Sequence, residues 1–324
     1  MKALRVNSLS DDLSGVALVD LPDPARGDGE VLVRIHAASL NFSDLLMTQG
    51  KYQFKPEVPF TLGMELAGEV IEAGEGSRYV PGDRVMGGAK TGSFAQFACV
   101  PERALRKIPQ GLSYATAAAM GAAYSTAYTA LVEQGGLTAG QCVLVHGASG
   151  GVGLAACDLA KAMGATVIAA THNPGKLDAL RTVSRADHVI LNTGRFREEV
   201  IALTDGRLCD LVFNPIGGDV FDESTRCVAF GGKLLVIGFV AGRIPDIAVN
   251  IPLIKGFSVV GVRAGEYARR FPDRGARIME EIGKLASSGA INPHVDRTLP
   301  LKEWRAAFSA MQAGELMGKI ILEP

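Results

Sequence analysis

Residues 143–153, "VLVHGASGGVG", hold two overlapping spacings that serve different chemistries. Gly147, Ser149 and Gly151 spell G-x-S-x-G, the sharp strand-to-helix turn that raises a nucleophilic serine above a sheet in hydrolases. Gly150, Gly151 and Gly153, with Ser149 before them and Val152 among them, spell instead a glycine-rich turn that seats a dinucleotide pyrophosphate on a helix N-terminus. A hydrolase needs more than the serine. An oxyanion motif of the HGGG kind should precede it, and an acid and a histidine should follow in that order. Nothing like HGGG stands ahead of residue 147, and His294 with Asp210 or Asp246 is a weak remainder. A Walker A turn fails as well, because no Gly-Lys-Ser/Thr follows. The dinucleotide reading has support on both sides: an apolar strand begins at Cys142, Gly153 stands where helix and strand pack closely, and a second strand ends near Thr171.

The end of that second strand selects the nucleotide. NAD sites place an aspartate or glutamate there for the ribose hydroxyls, whereas a 2′-phosphate needs cations and neutral donors. This chain has Thr171, His172, Asn173, Pro174, Gly175 and Lys176, and no acid before Asp178. NADP(H) is therefore expected, with Thr171, Asn173 and Lys176 as contacts.

The elements that must position these residues fall into two grammars. Residues 1 to about 110 read as short strands, as in "EVLVRIHAA" and "SFAQFACV", separated by turns at Gly74-Glu75-Gly76 and Pro81-Gly82-Asp83. Such spacing suggests a small barrel or sandwich. An alanine-rich helix opened by Ser113 follows, with an interruption expected near Gly121. From Cys142 onward apolar strands alternate with helices, the signature of parallel βαβ units. Two amphipathic helices come next, carrying Ile278, Ile282 and Leu285 on one and Trp304, Ala307, Phe308 and Met311 on the other, before a final strand "GKIILEP".

The totals limit the partners. With 324 residues, 48% hydrophobic, the chain is long enough for two domains or one large one, each able to bury a full core. Its 33 basic and 34 acidic residues give a net charge of −1 with no long run of one sign, which disfavours nucleic acid and acidic membrane surfaces. No apolar run approaches the roughly 20 residues that span a bilayer, and no signal-peptide core opens the chain, so a cytoplasmic location and small organic ligands are expected. The five cysteines form no C-x-x-C pair, and there is no H-E-x-x-H, so neither a disulfide framework nor a metal site is indicated.

The whole chain resembles the medium-chain dehydrogenase/reductase superfamily, and within it the zinc-independent quinone oxidoreductase branch. The stretches that carry the resemblance run from end to end: "AASLNFSDLLMTQGKYQFKPEVPFTLGMELAGEV", "PGDRV", "GAAYSTAYTAL", "VLVHGASGGVGLAACDLAKAMGATVIA", "NPIGGDVFDESTRCVAFGGKLLVIGF" and "GKIIL". It implies an α/β fold with a GroES-like β-barrel catalytic domain, residues 1–124 with 264–324, and a doubly wound Rossmann-type cofactor domain, residues 125–263. Where zinc alcohol dehydrogenases of the superfamily place a catalytic cysteine and histidine, this chain has Asn41 in "NFSD" and Met64 in "GMEL". Cys99 alone remains where they carry four structural cysteines. Neither zinc site can reach its ligand count.

Without a metal to polarise it, the acceptor must already be electrophilic: a quinone or the β-carbon of an α,β-unsaturated carbonyl. The resemblance places Tyr52 and Asn41 near the nicotinamide, as candidate donors to the developing negative charge. It places Thr126, Asn214 and the backbone of Gly238, Phe239 and Val240 against the nicotinamide half. A homodimer is expected through the apolar segment 243–262. Two other readings stand beside the quinone or enone reductase: an enoyl-thioester reductase, and an NADPH-binding protein with little turnover in a structural or sensing role.

Overall fold

The computed structural model describes residues 1–324, and the chain divides into two compact units, residues 1–121 with 295–324 and residues 122–294. The first unit is mostly β. Its strands are β1 (Lys2–Val6), β2 (Val16–Asp20), β3 (Glu30–Ser39), β4 (Phe60–Thr61), β5 (Leu66–Ala73), β6 (Arg84–Gly87), β7 (Phe97–Pro101) and β8 (Leu105–Lys107), with one short helix, α1 (Phe42–Thr48). Helix α2 (Tyr114–Tyr128) leaves this unit, and the chain returns to it with β15 (Val295–Pro300), α10 (Trp304–Gln312) and β16 (Lys319–Glu323). The second unit holds β9 (Cys142–His146), α3 (Gly151–Ala162), β10 (Thr166–Thr171), α4 (Leu177–Val183), β11 (His188–Leu191), α5 (Arg197–Leu203) and β12 (Cys209–Asn214). It continues with α6 (Gly218–Ser224), β13 (Val228–Val236), α7 (Asn250–Lys255), β14 (Ser258–Gly261), α8 (Ala264–Arg270) and α9 (Pro272–Ser287).

In the first unit a seven-stranded sheet runs β15-β16-β3-β5-β6-β8, with β7 also pairing β3, and a smaller sheet runs β2-β1-β4. Strand β3 shows why these residues make a half-buried sheet. Val31, Val33 and Ile35 alternate into the core while Arg34 faces outward, the period of two that a strand with one dry face requires. The core they enter also takes Leu4, Leu66, Phe94, Trp304, Phe308 and Ile320, so residues from both ends of the chain share it. Such a β unit is what the resemblance implies for a GroES-like domain.

In the second unit six parallel strands lie in the order β11-β10-β9-β12-β13-β14. The order steps outward one way from β9 and then reverses to β12, which is the doubly wound Rossmann arrangement and its switch point. The central strand "VLV", residues 143–145, is fully buried on both faces, which is why it reads as a continuous apolar run rather than an alternation.

Two expectations change. Helix α2 runs unbroken through Gly121. A glycine there costs a helix about 1 kcal/mol, but its alanine-rich neighbours carry the turn, and the glycine answers a packing need described below. The domain boundary also moves. Residues 264–294, expected with the barrel, belong to the second unit. Tyr267 donates to Glu133 at 2.8 Å and Arg277 pairs with the same carboxylate at 2.9 Å. Within the same unit, the buried Asp158 accepts from Tyr124 Oη, Arg185 and the Asn292 N–H at 2.7, 2.7 and 2.6 Å. No helix is long and apolar enough to cross a membrane.

Candidate functional site

In the second unit, the carboxyl edge of the sheet carries most of the residues the sequence singled out. The turn after β9 leads through Gly150 into α3 at Gly151. A Cβ on Gly153 would lie 2.1 Å from the Gly147 carbonyl oxygen, so only glycine lets the helix start so close to the strand. Gly150 differs. The nearest protein atom to its hypothetical Cβ is 3.4 Å away, so the protein itself leaves room there. A missing side chain that protein atoms do not demand leaves the helix N-terminus open to a ligand, as a pyrophosphate cradle requires. Ser149 and Val152 sit in this same turn, Ser149 largely buried.

At the end of β10, Thr171 Oγ1 accepts from the Asn173 N–H, and Asn173 Oδ1 accepts from the Gly175 N–H, folding the loop into a tight turn. Lys176 closes that turn, half-buried, just before α4. At the end of β12, Asn214 Oδ1 accepts from the Ile216 and Gly217 N–H groups at 2.9 Å each, while its buried amide nitrogen has no partner in the protein. Such an orphaned donor at the carboxyl edge is what a bound group would satisfy. Gly238 follows β13, and Phe239 and Val240 beyond it are exposed. Thr126 lies on α2 and returns its hydroxyl to the Ala122 carbonyl. A nicotinamide dinucleotide fits this unit.

The hydrolase reading finds no support in the histidine nearest Ser149. His146 is buried, its Nδ1 facing the Asn192 amide nitrogen at 3.1 Å and its Nε2 the Ser224 hydroxyl at 2.8 Å. Because Ser224 in turn donates to Val220 O, the network assigns a neutral ring with the proton on Nε2. Burial drives its pKa from 6.5 down to about 3.

In the first unit the sequence candidates are Asn41 and Tyr52, and the structure surrounds Asn41 with residues that spacing alone does not reveal. Lys319 on β16 is buried, and its ammonium donates to the Leu40 carbonyl at 3.1 Å and to Asn41 Oδ1 at 2.6 Å. Glu65 Oε2 lies 3.7 Å from the same ammonium. The Asn41 amide nitrogen donates to Ser39 O at 3.1 Å and Glu65 Oε2 at 3.3 Å. Both amide hydrogens are thus committed inside the unit, and Asn41 positions its neighbours instead of holding a free donor for an oxyanion. The buried Asp44 takes the Asn41 N–H at 2.8 Å. Loss of hydration pushes its carboxyl up to about 7, against the opposing pull of that hydrogen bond and of Lys319. Burial likewise pulls the Lys319 ammonium down from its ordinary value. Gly121 now has its reason, since Glu65 Oε1 lies 2.7 Å from where a Cβ would be. Tyr52 stands in the loop after α1, half-buried against the barrel core.

The signal for the missed residues was faint but present. A lysine inside the apolar run "GKIILEP" is rarely buried unless paired, and Glu65 and Lys319 both lie within matched stretches.

Zinc does not fit these residues. A Zn²⁺ site needs thiolate, imidazole or carboxylate donors at about 2.0–2.3 Å, whereas the Met64 sulfur already receives the Ser43 hydroxyl at 3.3 Å and Asn41 Oδ1 already holds an ammonium.

Comparison with known proteins gives the family. A family model described as "Alcohol dehydrogenase GroES-like domain" matches residues 27–110, and one described as "Zinc-binding dehydrogenase" matches residues 151–281. The chain is 34% identical over 300 residues to the quinone oxidoreductase-like protein 2 homolog of Nematostella vectensis, covering 91% of this chain and 82% of that one. Two solved structures superpose over its full length. One is a probable oxidoreductase from Mycobacterium abscessus (36% identity, TM-score 0.91, 99% of that chain covered). The other is a mycobacterial protein solved in complex with NADPH (27% identity, TM-score 0.89, 100% of that chain covered). The fold is that of a nucleotide-dependent dehydrogenase or reductase. The chain belongs to the medium-chain dehydrogenase/reductase superfamily, in its quinone oxidoreductase branch.

Proposed function

We propose that the protein is a zinc-independent, NADPH-dependent oxidoreductase that reduces an electrophilic small molecule, a quinone or an α,β-unsaturated carbonyl. The observation that carries this reading is the replacement of a metal-ligand set by the closed Asn41–Lys319–Glu65 network. A site that cannot polarise a carbonyl with a metal is suited to an acceptor that is already electrophilic. NADPH, when bound, supplies the hydride. The turn at Ser149, Gly150, Gly151, Val152 and Gly153 takes the pyrophosphate; Thr171, Asn173 and Lys176 take the ribose and its 2′-phosphate. Thr126, Asn214, Gly238, Phe239 and Val240 face the nicotinamide half, where Asn214 Nδ2 gains the partner it lacks.

Tyr52 supplies the proton or hydrogen bond to the developing oxyanion, its phenol being a donor at neutral pH. Asn41, held by Lys319 and Glu65, keeps the start of α1 and hence the loop bearing Tyr52 in place. The test is NADPH oxidation screened against quinones, enones and enoyl-CoA esters, with Tyr52→Phe in parallel. The variant should lose about 2.7 to 4 kcal/mol of transition-state stabilisation on enones, and less on quinones, whose reduced form takes its proton from water. Exclusive turnover of enoyl-CoA esters would move the reading to a thioester reductase. No turnover of any acceptor by a protein that binds NADPH would favour a binding role.

The protein acts as a homodimer in this reading. Strand β14 is the open edge of the six-stranded sheet, and Ile244 (68% exposed), Val249 (84%), Leu253 (80%) and Ile254 (76%) crowd the segment around it. An edge so apolar invites pairing with a second copy. Light scattering should give a dimer that Leu253→Glu with Ile254→Glu converts to a monomer.

A further inference from the structure

The opposite, amino-terminal edge of the six-stranded sheet gathers chemistry that the proposed reaction does not use. Cys142 opens β9 and Cys209 opens β12, two neighbouring parallel strands, and their sulfurs are 3.7 Å apart. The two thiols are not equivalent. Cys209 is fully buried, whereas Cys142 is partly exposed and lines a cavity of about 130 Å³ with Gly140, Thr166, Arg207 and Asp210. Cys227 lies next to them in the chain's path, since its carbonyl accepts the Cys209 N–H, but its thiol turns away to the Glu223 carbonyl. The arrangement is therefore a pair, one member partly exposed at the cavity and the other buried beside it.

We propose that Cys142 and Cys209 form a reversible dithiol–disulfide couple that a hydroperoxide oxidises through this cavity. The Cys142 sulfur, as thiolate, attacks one peroxide oxygen. An S–O bond forms, the O–O bond breaks, and the departing alkoxide or hydroxide takes a proton and leaves as an alcohol or water. The Cys209 sulfur then attacks the Cys142 sulfur. The S–S bond forms, the S–O bond breaks, and the hydroxide leaves as water with the Cys209 proton. The pair loses two electrons and the peroxide gains them.

Three features suit the two sulfurs to these roles. Sharing a proton with Cys209 holds the Cys142 thiol below its ordinary value, against burial and the Asp210 carboxylate and with a lesser pull from Arg207, while Cys209 is held well above. A thiol of this kind, partly exposed and next to a resolving partner, is the arrangement that sensor cysteines use. The sulfurs, 3.7 Å apart, need to close to a bond of about 2.05 Å, and Cys209 stands where the regular β12–β13 register is interrupted.

The test treats the intact protein with a few equivalents of hydrogen peroxide, blocks remaining thiols with N-ethylmaleimide and maps peptides without reduction. The expected result is a Cys142–Cys209 cross-linked peptide that dithiothreitol removes. In Cys209→Ser, Cys142 should accumulate as a sulfenic acid trapped by dimedone; in Cys142→Ser, oxidation of Cys209 should slow by roughly tenfold or more. A second measurement needs no variant. Phenylarsine oxide, which bridges two close thiols, should protect Cys142 and Cys209 together from the maleimide. Oxidation confined to Cys99, Cys209 oxidising as fast without Cys142, or no joint protection by the arsenical would each overturn the proposal.

Discussion

The two units prepare for chemistry by opposite means. The nucleotide unit works with backbone: a glycine-rich turn, with room above Gly150, and an unsatisfied amide at Asn214. The barrel unit works with buried charge, Lys319 set among Glu65, Asp44 and Asn41. A site made of backbone can be emptied without harm to the fold, whereas a site made of desolvated charge is part of what holds the fold together. Function and stability should therefore separate cleanly in one unit and stay entangled in the other.

The largest effect should come from removing the cation. Lys319→Met leaves two carboxyl groups buried beside an apolar side chain and should cost about 3 to 5 kcal/mol, the penalty of breaking a buried pair from one side. Urea unfolding measures it, and Glu65→Gln in the same chain should restore part of the loss. A Lys319→Met protein as stable as the parent would break the comparison.

On the nucleotide side, Lys176→Ala should remove about 1.5 to 3 kcal/mol of NADPH binding, the worth of a hydrogen bond to a charged group. NADH binding and the unfolding midpoint should scarcely move. Titration with both cofactors sharpens the contrast, and equal losses would contradict the assignment of Lys176.

Buried titratable groups make a third contrast, with slopes of at most about 1.4 kcal/mol per pH unit for each group. The folded barrel favours neutral Asp44, so the stability it contributes is complete below pH 3.8 and is lost as pH rises through about 7. The folded nucleotide unit favours neutral His146, so its contribution is complete above pH 6.5 and is lost as pH falls toward 3. Asp44→Asn should remove the loss that runs between pH 3.8 and about 7 and leave the His146 branch in place, in unfolding measured from pH 3 to 8. A decline above pH 6 that survives in this variant would show that another group causes it.

The smallest change in stability is expected for Gly150→Ala. Protein atoms leave space for the new methyl, so unfolding should shift by no more than about 0.5 kcal/mol, yet NADPH affinity should fall about tenfold or more as the methyl enters the cradle. Unchanged affinity would mean the space above the turn is not used by the cofactor.

The same contrast explains what the sequence made legible. The turn from Cys142 to Gly153 and the loop after Thr171 are local: strand, turn and helix lie within about thirty residues, so spacing alone carries their geometry. The barrel network is not local. Asn41 meets Lys319 from 278 residues away and Glu65 from 24, and only the pairing of β16 with β3 and of β3 with β5 brings them together. Gly121 misled for a related reason. Local propensity marks it as a weak point of α2, while its cause is the Glu65 carboxylate, a tertiary neighbour. The boundary at 264–294 was misplaced because amphipathic helices such as α9 announce a buried face but not which core receives it.

Lys319 also carries a message about time. Strand β3 finds β5 and β7 within the first hundred residues of the chain, but the ammonium that its end requires arrives on β16, and Lys319 reaches the Leu40 carbonyl across 279 positions. Until then the Glu65 carboxylate has no cation to accompany its burial, and drying it alone is costly. A nascent chain would therefore complete this network only after the whole nucleotide unit has been made. Strand β16 is its clasp, and the order in which a ribosome delivers the segments becomes part of the barrel's assembly.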